Sequence, residues 1–242
     1  MGWTARGRSS GIHIRAVRGW PASHGQEAPE LVLTSAHKTE LARFGEVVEY
    51  KTKGARIFLQ GTPADFLYLL TEGVVRAYHI LANGERQILA FLWPGDLFGL
   101  AEHGAFVNSA ETVTPCVVHR FPLDRLETFL LTNPSLQESF LVKAVHDLRN
   151  TQRQIIVMGR FDVQHRLAAF LLDCSGHEHY FSLSRKMLTL PMSRYDIADY
   201  LGTSAETVTR AFGQLEENGL IQRSRARAIV LKPSRLRSYV RS

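Results

Sequence analysis

Cysteine is almost missing from this chain. Its two thiols, Cys116 and Cys174, cannot build a disulfide framework, and so little cysteine fits a reducing compartment. Long apolar runs are missing as well: stretches such as 87–94 fall far short of the roughly 20 residues that a membrane-spanning helix needs. The start is interrupted by Arg6, Arg8, Arg15 and Arg18 and has no apolar signal-peptide region. A cytoplasmic protein with no membrane partner is therefore expected. No Ser/His/Asp, Cys/His or paired-carboxylate pattern stands out for catalysis, so an enzyme is not expected. Two absences of charge are local. No lysine or arginine occurs between Arg86 and Arg120, and no aspartate or glutamate occurs from Ile221 to the end.

What is present suffices for two domains: 242 residues with 45% hydrophobic content can bury a substantial core. Residues 1–30, rich in Gly, Ser and Arg without periodicity, read as a flexible leader. From Glu46 to Pro122 the pattern is short β-type segments, with strands expected over 47–52, 55–60, 66–71, 74–81, 86–92 and 112–120. Gly54, Gly73 and Gly95 punctuate them, and Asn83-Gly84 signals a type I′ hairpin. This implies an antiparallel roll or jelly roll over 31–132. Asn133, a good N-cap followed by Pro134, opens a long helix reaching Met158 in a segment 133–161. Within it Leu141, Ala144, Leu148, Thr151, Ile155 and Met158 recur at spacings of three and four. Such a seam suits the same helix of a second copy, a homodimer, although a stripe of under three heptads can also pack on its own domain.

Residues 193–215 carry the most informative pattern. Ile197 and Leu201, then Val208, Phe212 and Leu215, give each of two short segments one apolar stripe, Ala198 lets them approach, and Gly202 supplies a turn. Ser193 with Asp196, like Thr203 with Glu206, has capping-box spacing. Two capped helices joined by one glycine read as a helix-turn-helix, and double-stranded DNA becomes the expected partner. Glu206, Thr209 and Arg210 stand at i, i+3 and i+4 opposite the apolar stripe. Arginine can donate two parallel hydrogen bonds to guanine, glutamate can accept from cytosine N4, and threonine can offer a methyl to thymine or a hydroxyl to phosphate. An isolated Glu206–Arg210 couple would be an ordinary solvated pair; inside a helix-turn-helix the three are candidate base readers.

Gly219 after Asn218 ends the second helix, and strands expected over 221–225 and 228–232 form a wing within a unit spanning 162–242. Residues 177–242 hold eleven basic against six acidic residues, an excess of five out of +6 for the whole chain. That concentrated field suits a phosphate backbone. Arg223 and Arg225 are candidate phosphate contacts.

The fold class is thus α+β: an N-terminal antiparallel β-roll, a long dimerisation helix and a C-terminal winged helix-turn-helix. Over residues 36–235 this order resembles the CRP/FNR family of bacterial transcription regulators, whose roll is the cyclic-nucleotide-binding jelly roll. Met192-Ser193-Arg194 through Leu215 match that family's helix-turn-helix pattern. Glu206 to Arg210, with Thr209 in place of serine, resembles the FNR and FixK-like branches, and Arg86-Gln87-Ile88 with Pro94 to Leu100 resembles the FixK-like branch most. The resemblance implies a homodimeric activator on an inverted repeat near TTGAT, with RNA polymerase as a partner. It also implies phosphate contacts from Arg194, Ser204 and Thr207 and base reading by Glu206, Thr209 and Arg210.

Departures from the family's sensor sites shape the remaining expectations. Members that bind a cyclic nucleotide carry Phe-Gly-Glu-Leu and later Arg-Ser or Arg-Thr; here 98–101 read Phe-Gly-Leu-Ala and 108–110 read Asn-Ser-Ala, with Glu102 two residues out of register. A phosphate buried without a cation is costly, so cyclic AMP is not expected. Cys116 alone cannot hold an iron–sulfur cluster, and Gly99 and Ala101 occupy the positions of the haem branch's Cys-x-His. No cofactor and no metal are expected. Cys174 is a candidate redox switch and, with His177 and His179, has a spacing that could hold zinc. His79, His103 and His119 keep a haem- or nitric-oxide-responsive regulator open as a rival. A cupin-like metalloenzyme on the same roll is the rival from another class, lacking clustered His-x-His and Glu ligands.

Overall fold

The structure is a computed structural model that describes residues 41, 43–99, 101–102, 104–224 and 228–241. The leader 1–30, His103 and Arg225 lie outside the described residues. Ten strands come first: β1 (Glu46–Tyr50), β2 (Arg56–Phe58), β3 (Phe66–Glu72), β4 (Val75–Ile80), β5 (Arg86–Leu92), β6 (Leu97–Phe98), β7 (Ala101–Glu102), β8 (Ala105–Phe106), β9 (Ser109–Thr112) and β10 (Cys116–Pro122). They pair antiparallel in two four-stranded sheets, ordered β1-β10-β3-β6 and β2-β9-β4-β5, with β7-β8 as a small ribbon.

Alternation along β3 and β10 sends Leu70 and Val118 into the roll, where Tyr68, Phe98, Phe106 and Ala110 close the space. Phe58 stacks on Phe106 at 3.9 Å between centroids and lies 5.3 Å from Tyr68. Gly73, with φ +90°, makes the corner before β4; a Cβ there would lie 2.2 Å from the Pro115 carbonyl oxygen, so no larger residue fits. The segment expected as one strand over 112–120 is instead β9 and β10 separated by a corner at 113–115. Buried Thr112 enforces it by accepting from the Ala55 amide and donating to the Thr52 carbonyl. The Asn83-Gly84 turn also differs in form. Gly84 N–H donates to Leu81 O and only Gly84 of the pair has positive φ, so the hairpin is a three-residue loop with a left-handed glycine rather than type I′.

Six helices follow among the described residues, together with a second sheet. Helix α1 (Leu123–Thr132) packs on the roll through Leu126, and α2 (Pro134–Arg160) is the long helix. Asn133 precedes it but does not cap it; its side-chain amide donates to Phe129 O in α1 instead. Helix α3 (Val163–Cys174) is buried along Leu167, Phe170 and Leu171. Strands β11 (Phe181–Ser182) and β12 (Met187–Thr189) lead to α4 (Arg194–Leu201) and α5 (Ala205–Glu217), then β13 (Ile221–Arg223), β14 (Ala228–Leu231) and α6 (Pro233–Arg241). The second sheet is ordered β11-β12-β14-β13. Its core is continuous with one side of the roll: Tyr78, Ile88, Phe91 and Trp93 join Phe170, Ile197, Val208 and Phe212 in one buried cluster.

Candidate nucleic-acid interface

Helix α4 starts at a capping box in which Ser193 Oγ accepts from the Asp196 amide while Asp196 accepts from the Ser193 amide. It stops at Gly202 (φ 64°, ψ 46°), after which the Thr203 amide returns to Ala198 O. That left-handed stop places the start of α5 one residue later than the spacing suggests. Ser204, not Thr203, is the N-cap, accepting from the Thr207 amide. Ile197, Ala198 and Leu201 then bury against Val208, Ala211, Phe212 and Leu215, fixing the two helices as one unit.

The opposite face of α5 is open. Glu206 and Arg210 side chains keep 78% and 66% of their exposure and meet at 3.4 Å, a loose pair that costs little to part. Thr209 Oγ1 donates to Ala205 O, so its methyl is the group left for an outside partner. Ser204 Oγ and Thr207 Oγ1 lie 2.9 Å apart, and Arg210 donates to Thr207 Oγ1 at 3.3 Å. The row continues at Gly213, where an added Cβ would meet nothing within 4 Å.

Two basic residues flank this face. Arg194 stacks its guanidinium 3.5 Å from the Phe212 ring centroid; burial, then Arg223, push its pKa below the ordinary value. Arg223 is held from the wing, its backbone N–H and Nε donating to Glu216 at 2.8 and 2.6 Å. Both keep one edge toward solvent.

On α2, Leu141 (57% exposed), Leu148 (58%) and Ile155 (66%) stand out of the protomer, with Ala144 and Thr151 exposed between them. Met158 differs. It is half-buried, its methyl 3.3 Å from where a Cβ on Gly202 would lie, so the seam's lower end leans on the helix-turn-helix.

Among the described residues the roll's interior is packed with the rings of Phe58, Tyr68, Phe98 and Phe106, and polar groups near it pair with one another. Asn108 pairs with His79, which also contacts Gln60, and buried Ser109 accepts from the Gln60 amide. Cys174, the candidate redox switch, is 2% exposed, and burial followed by nearby Asp173 pushes its thiol well above the ordinary range. Both features disfavour a reactive thiolate at this position. Its neighbour His177 is used structurally, stacked on Trp93 at 4.1 Å with its pKa lowered by burial. Among the described residues no three His, Cys, Asp or Glu side chains gather as a metal site.

Residues 48–133 match the Cyclic nucleotide-binding domain and residues 165–239 match the Crp-like helix-turn-helix domain. Over 193 residues the chain is 35% identical to the nitrogen fixation regulation protein FixK of Rhizobium meliloti, covering 79% of this chain and 86% of the relative. The chain belongs to the CRP/FNR family. It is similar also to the transcriptional activatory protein AadR of Rhodopseudomonas palustris, 35% identical over 78% of this chain and 79% of that one. The structure of FixK2 from Bradyrhizobium japonicum superposes with a TM-score of 0.71 at 34% identity, covering 80% of this chain and 96% of that one. As a member of this family the chain is a transcription regulator with a DNA-binding helix-turn-helix, and its relatives are regulators rather than enzymes. No described helix is long and apolar enough to cross a membrane.

Proposed function

We propose that the protein is a cytoplasmic transcription activator that binds an inverted repeat of the TTGAT type as a homodimer, without a cyclic nucleotide, and serves oxygen- or redox-linked genes. The observation that carries this reading is the open row Glu206–Thr209–Arg210 on a rigidly capped helix, the residue types that pair with base edges. Ser204 and Thr207 open the same helix, Arg194 stacks on its Phe212 and Arg223 pairs with its Glu216, so the four border the row as phosphate contacts, and Arg225 belongs to the same basic wing segment. The exposed seam of Leu141, Ala144, Leu148, Thr151 and Ile155 supports the dimer, because an apolar stripe on a solvent-facing helix wants a partner. The packed aromatic interior and the lack of a cation between Arg86 and Arg120 favour independence from cyclic nucleotides. Names of relatives, nitrogen fixation regulation and transcriptional activation, favour an activator that works with RNA polymerase. Selection of bound duplexes from a random pool tests the reading. Enrichment of a TTGAT inverted repeat supports it; enrichment of single sites or of no sequence refutes it.

A further inference from the structure

The DNA-binding unit is joined to the roll by an ion network. Arg76 on β4 donates through Nε and Nη2 to Glu111 on β9 (3.3 and 2.8 Å) and through Nη1 to Asp196 Oδ1 on α4 (2.8 Å). Arg86 on β5 donates through Nη2 to the same Oδ1 at 3.0 Å and through Nε and Nη2 to Asp199 Oδ2 (2.8 and 2.5 Å). Gln87 adds a bond from its side-chain amide to Asp199 O. The five charged side chains retain between 7% and 29% of their exposure, too little to act as a loose surface network. Asp196 divides its two oxygens: Oδ2 closes the capping box with Ser193, while Oδ1 takes both arginines of the roll. The residue that starts the helix-turn-helix therefore also fixes its docking. Beside the network Phe91 packs on Tyr200 at 5.4 Å and Phe170 at 5.9 Å.

Asp196 apart, the caps of the helix-turn-helix and the packing of α4 on α5 are made by residues outside this network. What the network adds is one orientation of α4, and through the shared core of α5, relative to the roll and to α2 that leads out of it. On a paired site two recognition helices must enter successive major grooves at a fixed separation, and an orientation free to drift loses that match. We infer that Arg86 and Asp199, with Arg76, Glu111 and Asp196, are positioning residues that set the spacing between the two recognition helices. They would act on selectivity for half-site separation without touching a base. The inference rests on the dimeric DNA-reading function proposed above.

The test compares wild type, Arg86→Gln, Asp199→Asn and the double variant, which leave Ser193 and Asp196 intact. Each is titrated with three duplexes: the inverted repeat, the same repeat with two base pairs inserted between its halves, and a single half-site. Both single variants should lose about tenfold on the repeat, keep single-half-site affinity, and narrow the gap between natural and lengthened spacing. The double variant should lose no more than the worse single, as partners in one interaction do. Equal loss on the repeat and the half-site, or strictly additive losses, would reduce the network to general stability and overturn the inference. A wild type that does not distinguish the repeat from a scrambled duplex would overturn the functional reading itself, and this inference with it.

Discussion

Replacing Leu148 by glutamate probes the proposed subunit contact at a residue the protomer does not need. Leu148 is 58% exposed, so within one protomer the change removes little packing and the far-ultraviolet dichroism should stay that of a folded protein. In the dimer the same residue occurs twice. Fully burying a leucine is worth about 2.5 kcal/mol, so burying the exposed part contributes about 1.5 kcal/mol per protomer, or about 3 kcal/mol for the pair. Losing that alone raises the dissociation constant by about two orders of magnitude. Glutamate adds two desolvated carboxylates facing one another across the twofold axis, which brings the expected loss to about a thousandfold or more. Leu148→Ala should fall between, near the hundredfold loss of packing alone. Sedimentation equilibrium from nanomolar to ten-micromolar protein reads both constants. A Leu148→Glu dimer of wild-type strength would show that the seam does not face a second copy.

Other substitutions separate reading from folding. Arg210→Ala should cost about 1 to 3 kcal/mol on the cognate repeat and flatten discrimination at one base pair per half-site; equal losses on random DNA would remove it from base reading. Gly213→Ala should raise the melting temperature, since the added Cβ meets open space and alanine favours the helix by about 1 kcal/mol, yet weaken repeat binding because the position continues the reading row; tighter binding would move DNA away from it. Burial would raise the Asp196 carboxyl, but Ser193, then Arg76 and Arg86, hold it below its ordinary 3.8. Its stabilisation is therefore fully present above that value and fades as the pH falls through its lower folded value, so Asp196→Asn should be less stable than wild type at neutral pH and the deficit should shrink as the pH falls below 3.8. A deficit unchanged at acid pH would mean that the charge is not what Asp196 contributes.

The parts of this molecule legible in one dimension are those made by local chemistry. Strand β5 falls at 86–92 as its alternation indicates, and Ser193, Asp196 and Gly202 form the cap and turn their spacing implies. Misplacements arise where a neighbour competes: Ser204 displaces Thr203 as the cap, and Thr112 breaks a continuous β-type run into β9 and β10. Helices α1, α3 and α6 carry weaker patterns, and α3 in particular reads as an unbroken apolar run over 167–172 because it is buried in the core that the second sheet shares with the roll. The ion network had no local signal at all. Arg86 and Gln87 stand out in the sequence only through resemblance, Asp196 looks like an ordinary helix-start acid and Asp199 like a solvated acid near the end of the same helix; more than a hundred residues separate each arginine of the roll from its aspartate on α4, so only the tertiary fold brings them together.

On the proposed function the protein reads a paired site as it stands, with no nucleotide in the roll. Fluorescence anisotropy on a labelled TTGAT inverted repeat, in a buffer of fixed salt, tests it most directly when titrations are run with and without millimolar cyclic AMP. A ligand shifts a conformational equilibrium only by its differential affinity for the two states. The expected result is tight, sequence-selective binding by the dimer with superimposable curves. Binding that appears only when cyclic AMP is added would contradict the account.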